Sequence, residues 1–125
     1  MRRVSDRFLQ AGVLFALLGM GLGVMMGKSE DFTLAPVHAH INLLGWVSMV
    51  LYGLVYRVVP TAAQGKLPAV HFWLSVLSLL LMIPALAGYL LGQKTMAIPL
   101  AISSIGVWLS MLLFAVIVFR ATWRE

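Results

Sequence analysis

Four long apolar stretches with almost no charge inside them constrain this chain more than any other feature. They run from about residue 8 to 27, 34 to 59, 68 to 92 and 96 to 119. A helix needs about 20 apolar residues to cross the hydrocarbon core of a bilayer, and each stretch is at least that long. Charged residues make up 10% of the chain and hydrophobic ones 62%, with a mean hydropathy of +0.99. A soluble domain carries about 25% charged residues, so there is too little charge for a water-facing surface. The expectation is an all-α integral membrane protein, a single four-helix domain over residues 1–125. Met1-Arg2-Arg3 resembles the basic start of a secretory signal peptide. The apolar run behind it suits a spanning helix better, because it is about 20 residues long.

The chain has no cysteine, which excludes disulfides, thiolate metal sites and covalent c-type haem attachment. Its net charge of +5 is not a nucleic-acid signature, because the basic residues cluster at helix ends. Four spans place both termini on one side. That side holds Arg2, Arg3, Arg7, Arg57, Lys66, Arg120 and Arg124, and the other holds Lys28 and Lys94. The positive-inside rule then makes both termini cytoplasmic, in a bacterial-type inner membrane, with membrane lipid as the surrounding partner. The second span therefore runs from outside to inside.

Local features punctuate the spans. In the first, Gly12 with Ala16 and Gly19 with Gly23 form small-xxx-small pairs, read as surfaces for close helix packing. Thr33 is the expected N-cap of the second span, with Pro36 in its first turn. Pro84 should kink the third span by removing a backbone hydrogen bond. Ser103, Ser104 and Ser110 can return their hydroxyls to backbone carbonyls in the fourth.

Polar chemistry enters this apolar chain at Val37-His38-Ala39-His40-Ile41-Asn42-Leu43-Leu44-Gly45-Trp46. Ionisable groups within a span are costly and face protein, cofactor or cavity. On a helix, positions two apart differ by about 200° of rotation and about 3 Å of rise. His38 and His40 therefore point to opposite sides, whereas a single chelated metal wants ligands at i and i+3 or i+4. The pair suits a helix wedged between two sites, with one axial ligand to each, and haem iron accepts that arrangement. In an extended loop, two neighbouring imidazoles could instead share copper or zinc. His71 stands alone at the cytoplasmic interface with no partner at helical spacing, and reads as a packing residue. Tyr52 and Tyr56 share a helix face at i and i+4, with packing their first role.

The stretch His38-Ala39-His40, then Gly45, then Tyr52-Gly53-Leu54-Val55-Tyr56 and Pro60, resembles the tenth transmembrane helix of the large subunit of haem-copper oxidases and nitric oxide reductases. The match covers about a fifth of the chain. In that family the first histidine ligates the high-spin haem and the second the low-spin haem. The resemblance implies that His38 and His40 each ligate a haem, with Gly45 and Gly53 giving room for macrocycles or close helices. Lys94, in the turn before the last span, would correspond to the basic residues that hold haem propionates. The family's copper ligands, a His-Pro segment with a tyrosine and a His-His pair, are missing, so terminal oxidase activity is not implied. The family's subunit has twelve helices in three similar four-helix arcs. Three copies of this chain would rebuild that architecture as a symmetric homotrimer, with b-type haem between His38 of one subunit and His40 of the next.

Two functional readings follow. One is a haem-binding membrane protein that transfers electrons with a redox partner or, given an open axial position, binds a diatomic gas. The other is a haem-free small membrane subunit or assembly factor whose histidines bind copper or merely pack. Met20, Met25, Met26 and Met49 could add thioether ligands to copper, but methionines in spans are ordinarily apolar filling. No arrangement of acids, cysteine or a Ser-His-Asp set recommends a catalytic site.

Overall fold

Helix α1 (Val4–Ser29) buries Ser5, Phe8, Gly12, Phe15 and Gly19 at alternating steps of three and four, and Met26 seven residues further on. That spacing keeps one narrow stripe facing a neighbour in near-parallel helix packing. The computed structural model describes residues 3–123; Arg2 and Arg124, counted above among the basic residues, lie outside them. The second span comprises a short helix α2 (Ala35–His40), a π-helical segment (Ile41–Val47) and α3 (Ser48–Val58). Helix α4 (Leu67–Leu90) and helix α5 (Ala97–Thr122) complete the four spans, with short 3₁₀ turns at Pro60–Ala63 and Lys94–Met96. All four spans are long and apolar enough to cross a membrane, and the chain is an all-α, multi-pass membrane protein.

The first two spans pack mainly on each other, as do the last two, and α1 and α2 join the pairs through α4. The core runs through Phe8, Phe15, Ile41, Met49, Tyr52 and Leu79. Helix α5 is the least buried of the four spans, and its buried positions Ser103, Ser110 and Ile117 lie seven apart. Small polar residues let α4 and α5 approach closely: a Cβ on Gly106 would collide with Ser78, and the Ser110 hydroxyl meets Ser75 Oγ at 3.0 Å.

Several local expectations change. Helix α1 begins at Val4 rather than residue 8, carrying Asp6 and Arg7 within its first turns. The Asp6 carboxylate pairs with Arg57 at the end of α3, and Ser5 Oγ accepts Arg57 Nε–H at 3.2 Å, so Asp6 and Arg57 are matched across the helix pair. Thr33 is not the N-cap of the second span. Its N–H (3.1 Å) and hydroxyl (2.6 Å) both donate to Asp31, and Leu34 holds the cap position without a side-chain bond. Those two donors hold the Asp31 carboxyl below its ordinary range. The turn is therefore complete above that range and loosens as pH falls through the lowered value. Pro84 lies inside α4 as expected, and the helix continues past it to Leu90.

The π-helical segment is the largest departure from a uniform second span. Val37, Ile41, Gly45 and Met49 are buried at a constant spacing of four. In a regular α-helix each four-residue step drifts by about 40° around the axis, so this stripe would rotate away from α1. The wider turn at Ile41–Val47 removes that drift. Within it Ser48 Oγ–H donates to Leu43 O at 2.7 Å, and the Asn42 amide donates to His38 O at 2.9 Å.

Candidate functional site

His38 and His40 sit in the last turns of α2, immediately before the π-helical segment. Such segments occur often at functional sites in helices. His38 is half-buried in a groove on α1, and the glycines at positions 19 and 23 make that groove. A Cβ on Gly23 would lie 2.7 Å from His38 Cε1, and one on Gly19 would lie 2.8 Å from the Asn42 amide. The small-xxx-small pair therefore serves helix packing as expected, and what it receives is the imidazole and its amide neighbour.

The missing side chains also leave the Gly19 carbonyl open to His38 Nδ1, at 2.6 Å. A carbonyl only accepts, so Nδ1 carries a proton, and in the neutral ring Nε2 keeps its lone pair. Asn42 Nδ2 approaches the same ring nitrogen at 3.2 Å, but in this tautomer two N–H groups face each other; the amide's bond is to His38 O. His40 is exposed, and its Nδ1 lies 2.7 Å from Pro36 O, one turn back. The same logic fixes its proton on Nδ1 and leaves Nε2 bare. Both rings thus have the tautomer of metal-bound histidines, whose second nitrogen donates to a carbonyl or carboxylate. They do not meet: one ring is bound to α1, the other to its own helix. Among the described residues no group of three or more His, Asp or Glu side chains gathers to hold an ion.

The other residues singled out from sequence are spread over the bundle. Gly45 is buried, and its space is filled by Phe15 and Leu79, with Phe15 Cβ 2.7 Å from where a Cβ would stand. Gly53 likewise admits Ser5 O and Leu9. Both glycines serve close helix contact within the chain. Lys94 is exposed in the α4–α5 turn and lies over the Tyr89 ring, 5.5 Å from its centroid. Of the four methionines, Met20 and Met25 are exposed while Met26 and Met49 are buried, so they form no common thioether set. No family model, curated protein or solved structure matches this chain.

His71 is the residue that sequence reasoning undervalued. It is fully buried, and its partner comes from another helix: Tyr56 Oη lies 2.8 Å from Nδ1. Phe8, Tyr52 and Phe114 surround the ring, with centroids at 4.9, 4.5 and 5.1 Å. Its Nε2 is buried without a partner among the described residues. The polar cluster continues beside it. Ser75 Oγ–H donates to His71 O at 2.7 Å, so the Ser110 hydroxyl supplies the proton of the 3.0 Å Ser75–Ser110 bond. Spacing along α4 holds no trace of this, because every side-chain partner of the imidazole ring lies on another helix. The available sequence cue was the Tyr52/Tyr56 pair, which places two phenol rings on one face of α3.

Proposed function

We propose that this chain is a haem-binding membrane protein in which His38 and His40 each supply one axial ligand to a b-type haem shared between neighbouring copies. The observation that carries this reading is the pair of Nδ1–H bonds to backbone carbonyls, which leaves both Nε2 atoms free as ligands on rings held separately. The resemblance of the His38–Pro60 stretch to the tenth helix of haem-copper oxidases points to the same metal group. Bound haem would supply one-electron transfer. The chain's own residues would orient the two imidazoles, exclude water from the His38 side through the Gly19/Gly23 groove, and offer Lys94 to a propionate. A symmetric homotrimer in a bacterial-type inner membrane, with cytoplasmic termini, completes the proposal. The termini share the more basic end, as the positive-inside rule requires for this orientation.

The test is a pyridine haemochrome assay with iron and copper content per chain. Wild-type protein should carry b-type haem, and His38→Ala and His40→Ala should each lose it while keeping their helicity. A colourless protein, or one that binds copper in place of iron, overturns the reading in favour of a haem-free subunit. An unchanged reduced spectrum on adding carbon monoxide would mark two histidine ligands and electron transfer; a shift would mark gas binding.

A further inference from the structure

The end of the bundle that holds both chain termini also holds most of the positive charge. Among the described residues it carries Arg3, Arg7, Arg57, Lys66 and Arg120 against the single acid Asp6. The opposite end balances Lys28 and Lys94 with Glu30 and Asp31. At the basic end a cavity of about 670 Å³ opens between the start of α1 and the α3–α4 connection, with Arg3, Ser5, Arg7, Tyr56 and Arg57 on its polar wall. Cavities of several hundred Å³ are the size of small-molecule sites.

These cations are not equivalent. The Arg57 guanidinium pairs with Asp6 and donates from Nε to Ser5, which ties α3 to α1 and fixes the wall between them. That pairing consumes the one described acid of this end. Arg3 and Arg7 stand four residues apart, one helical turn, and have no ion-pair partner among the described residues. Two unpaired guanidinium groups on one side of a cavity present fork-shaped donors that match phosphate oxygens bidentately. Val4, Ala63 and Pro68 make the rest of the wall apolar. The cavity lies at the ends of spanning helices, the level at which lipid headgroups stand.

We infer that this cavity binds the phosphate of an anionic phospholipid, with Arg3 and Arg7 as the phosphate ligands and the apolar wall against the glycerol and first acyl carbons. Arg57 is a positioning residue, and Tyr56 closes the floor with its hydroxyl held by His71. The inference does not depend on haem binding, since the cavity is at the opposite end of the second span from His38 and His40.

The experiment uses the full chain in detergent, titrated with phosphatidylglycerol or phosphatidylcholine and read by native mass spectrometry. Wild-type protein should retain phosphatidylglycerol preferentially. Arg3→Gln/Arg7→Gln should weaken that retention at least about tenfold. Lys28→Gln removes a cation from the other end, at a residue with no part in haem binding, and should leave it unchanged. Circular dichroism and elution volume confirm that each variant is folded. Equal retention of both lipids, or a loss in Lys28→Gln as large as in the double arginine variant, overturns the inference. Displacement of the lipid by equimolar glycerol 3-phosphate or inorganic phosphate overturns the lipid as source and makes this a site for soluble phosphate.

Discussion

Glycine at positions 19 and 23 decides whether an imidazole can lie against α1. Gly23 has the His38 ring where its Cβ would be, whereas Gly21, on the same helix, has nothing within 4 Å. Gly23→Val should therefore push His38 out of its groove and lower haem content per chain, while Gly21→Val should not. Equal haem in both variants would show that the groove is irrelevant to the ligand. At the other end of the second span, Tyr56 provides the one hydrogen bond that the described structure gives the His71 ring. Tyr56→Phe leaves both imidazole nitrogens unmatched in an aromatic cage. It should destabilise the protein by about 1–3 kcal/mol in mixed-micelle unfolding. Adding His71→Phe should recover most of that loss, because a phenyl ring needs no partner among Phe8, Tyr52 and Phe114. Additive losses in the double variant would sink this account.

At the level of elements, hydropathy made all four spans legible, and their ends fell within a few residues wherever charge or proline marked them. The start of α1 was misjudged because Asp6 and Arg7 read as solvent-facing, and only the fold supplies Arg57 as Asp6's partner. The π-helical segment was not anticipated, although the i+4 run Val37, Ile41, Gly45, Met49 contained its cause. His38 and His40 were legible as exceptional residues, but their tautomers depend on Gly19 O and Pro36 O, which composition cannot reveal. His71 was illegible for the same reason: tertiary partners are not periodic in sequence. The wide turn itself is testable. Deleting Leu44, half-buried within it, should restore regular α-helical hydrogen bonding and keep α2 facing α1, because the about 100° that one residue adds in an α-helix is what the wide turn absorbs. Helicity by circular dichroism, haem content and detergent stability should all persist. A deletion variant that loses haem and stability would mean that the wide turn does more than absorb one residue.

The two candidate ligands sit on rings held apart, one against α1 and the other against its own helix, and the proposed haem site is one that assembly would complete. A cyclic trimer in which His38 of one subunit and His40 of the next share a haem makes a prediction that no single-chain site shares. Trimers made only of His38→Ala chains contain no complete ligand pair, and neither do trimers made only of His40→Ala chains. In a mixed ring, however, one junction always joins a subunit that keeps His38 to a following subunit that keeps His40. Each mixed trimer should thus regain one haem, whichever variant is in excess. Equal co-expression mixes most rings, so the purified mixture should hold about a quarter of the wild-type haem, against none in either variant alone. Carrying different affinity tags on the two variants and purifying on both in succession selects mixed trimers, which should raise the value to about a third. If each chain instead bound haem through ligands of its own, mixing would restore nothing, and the two-tag fraction would be as colourless as its parents.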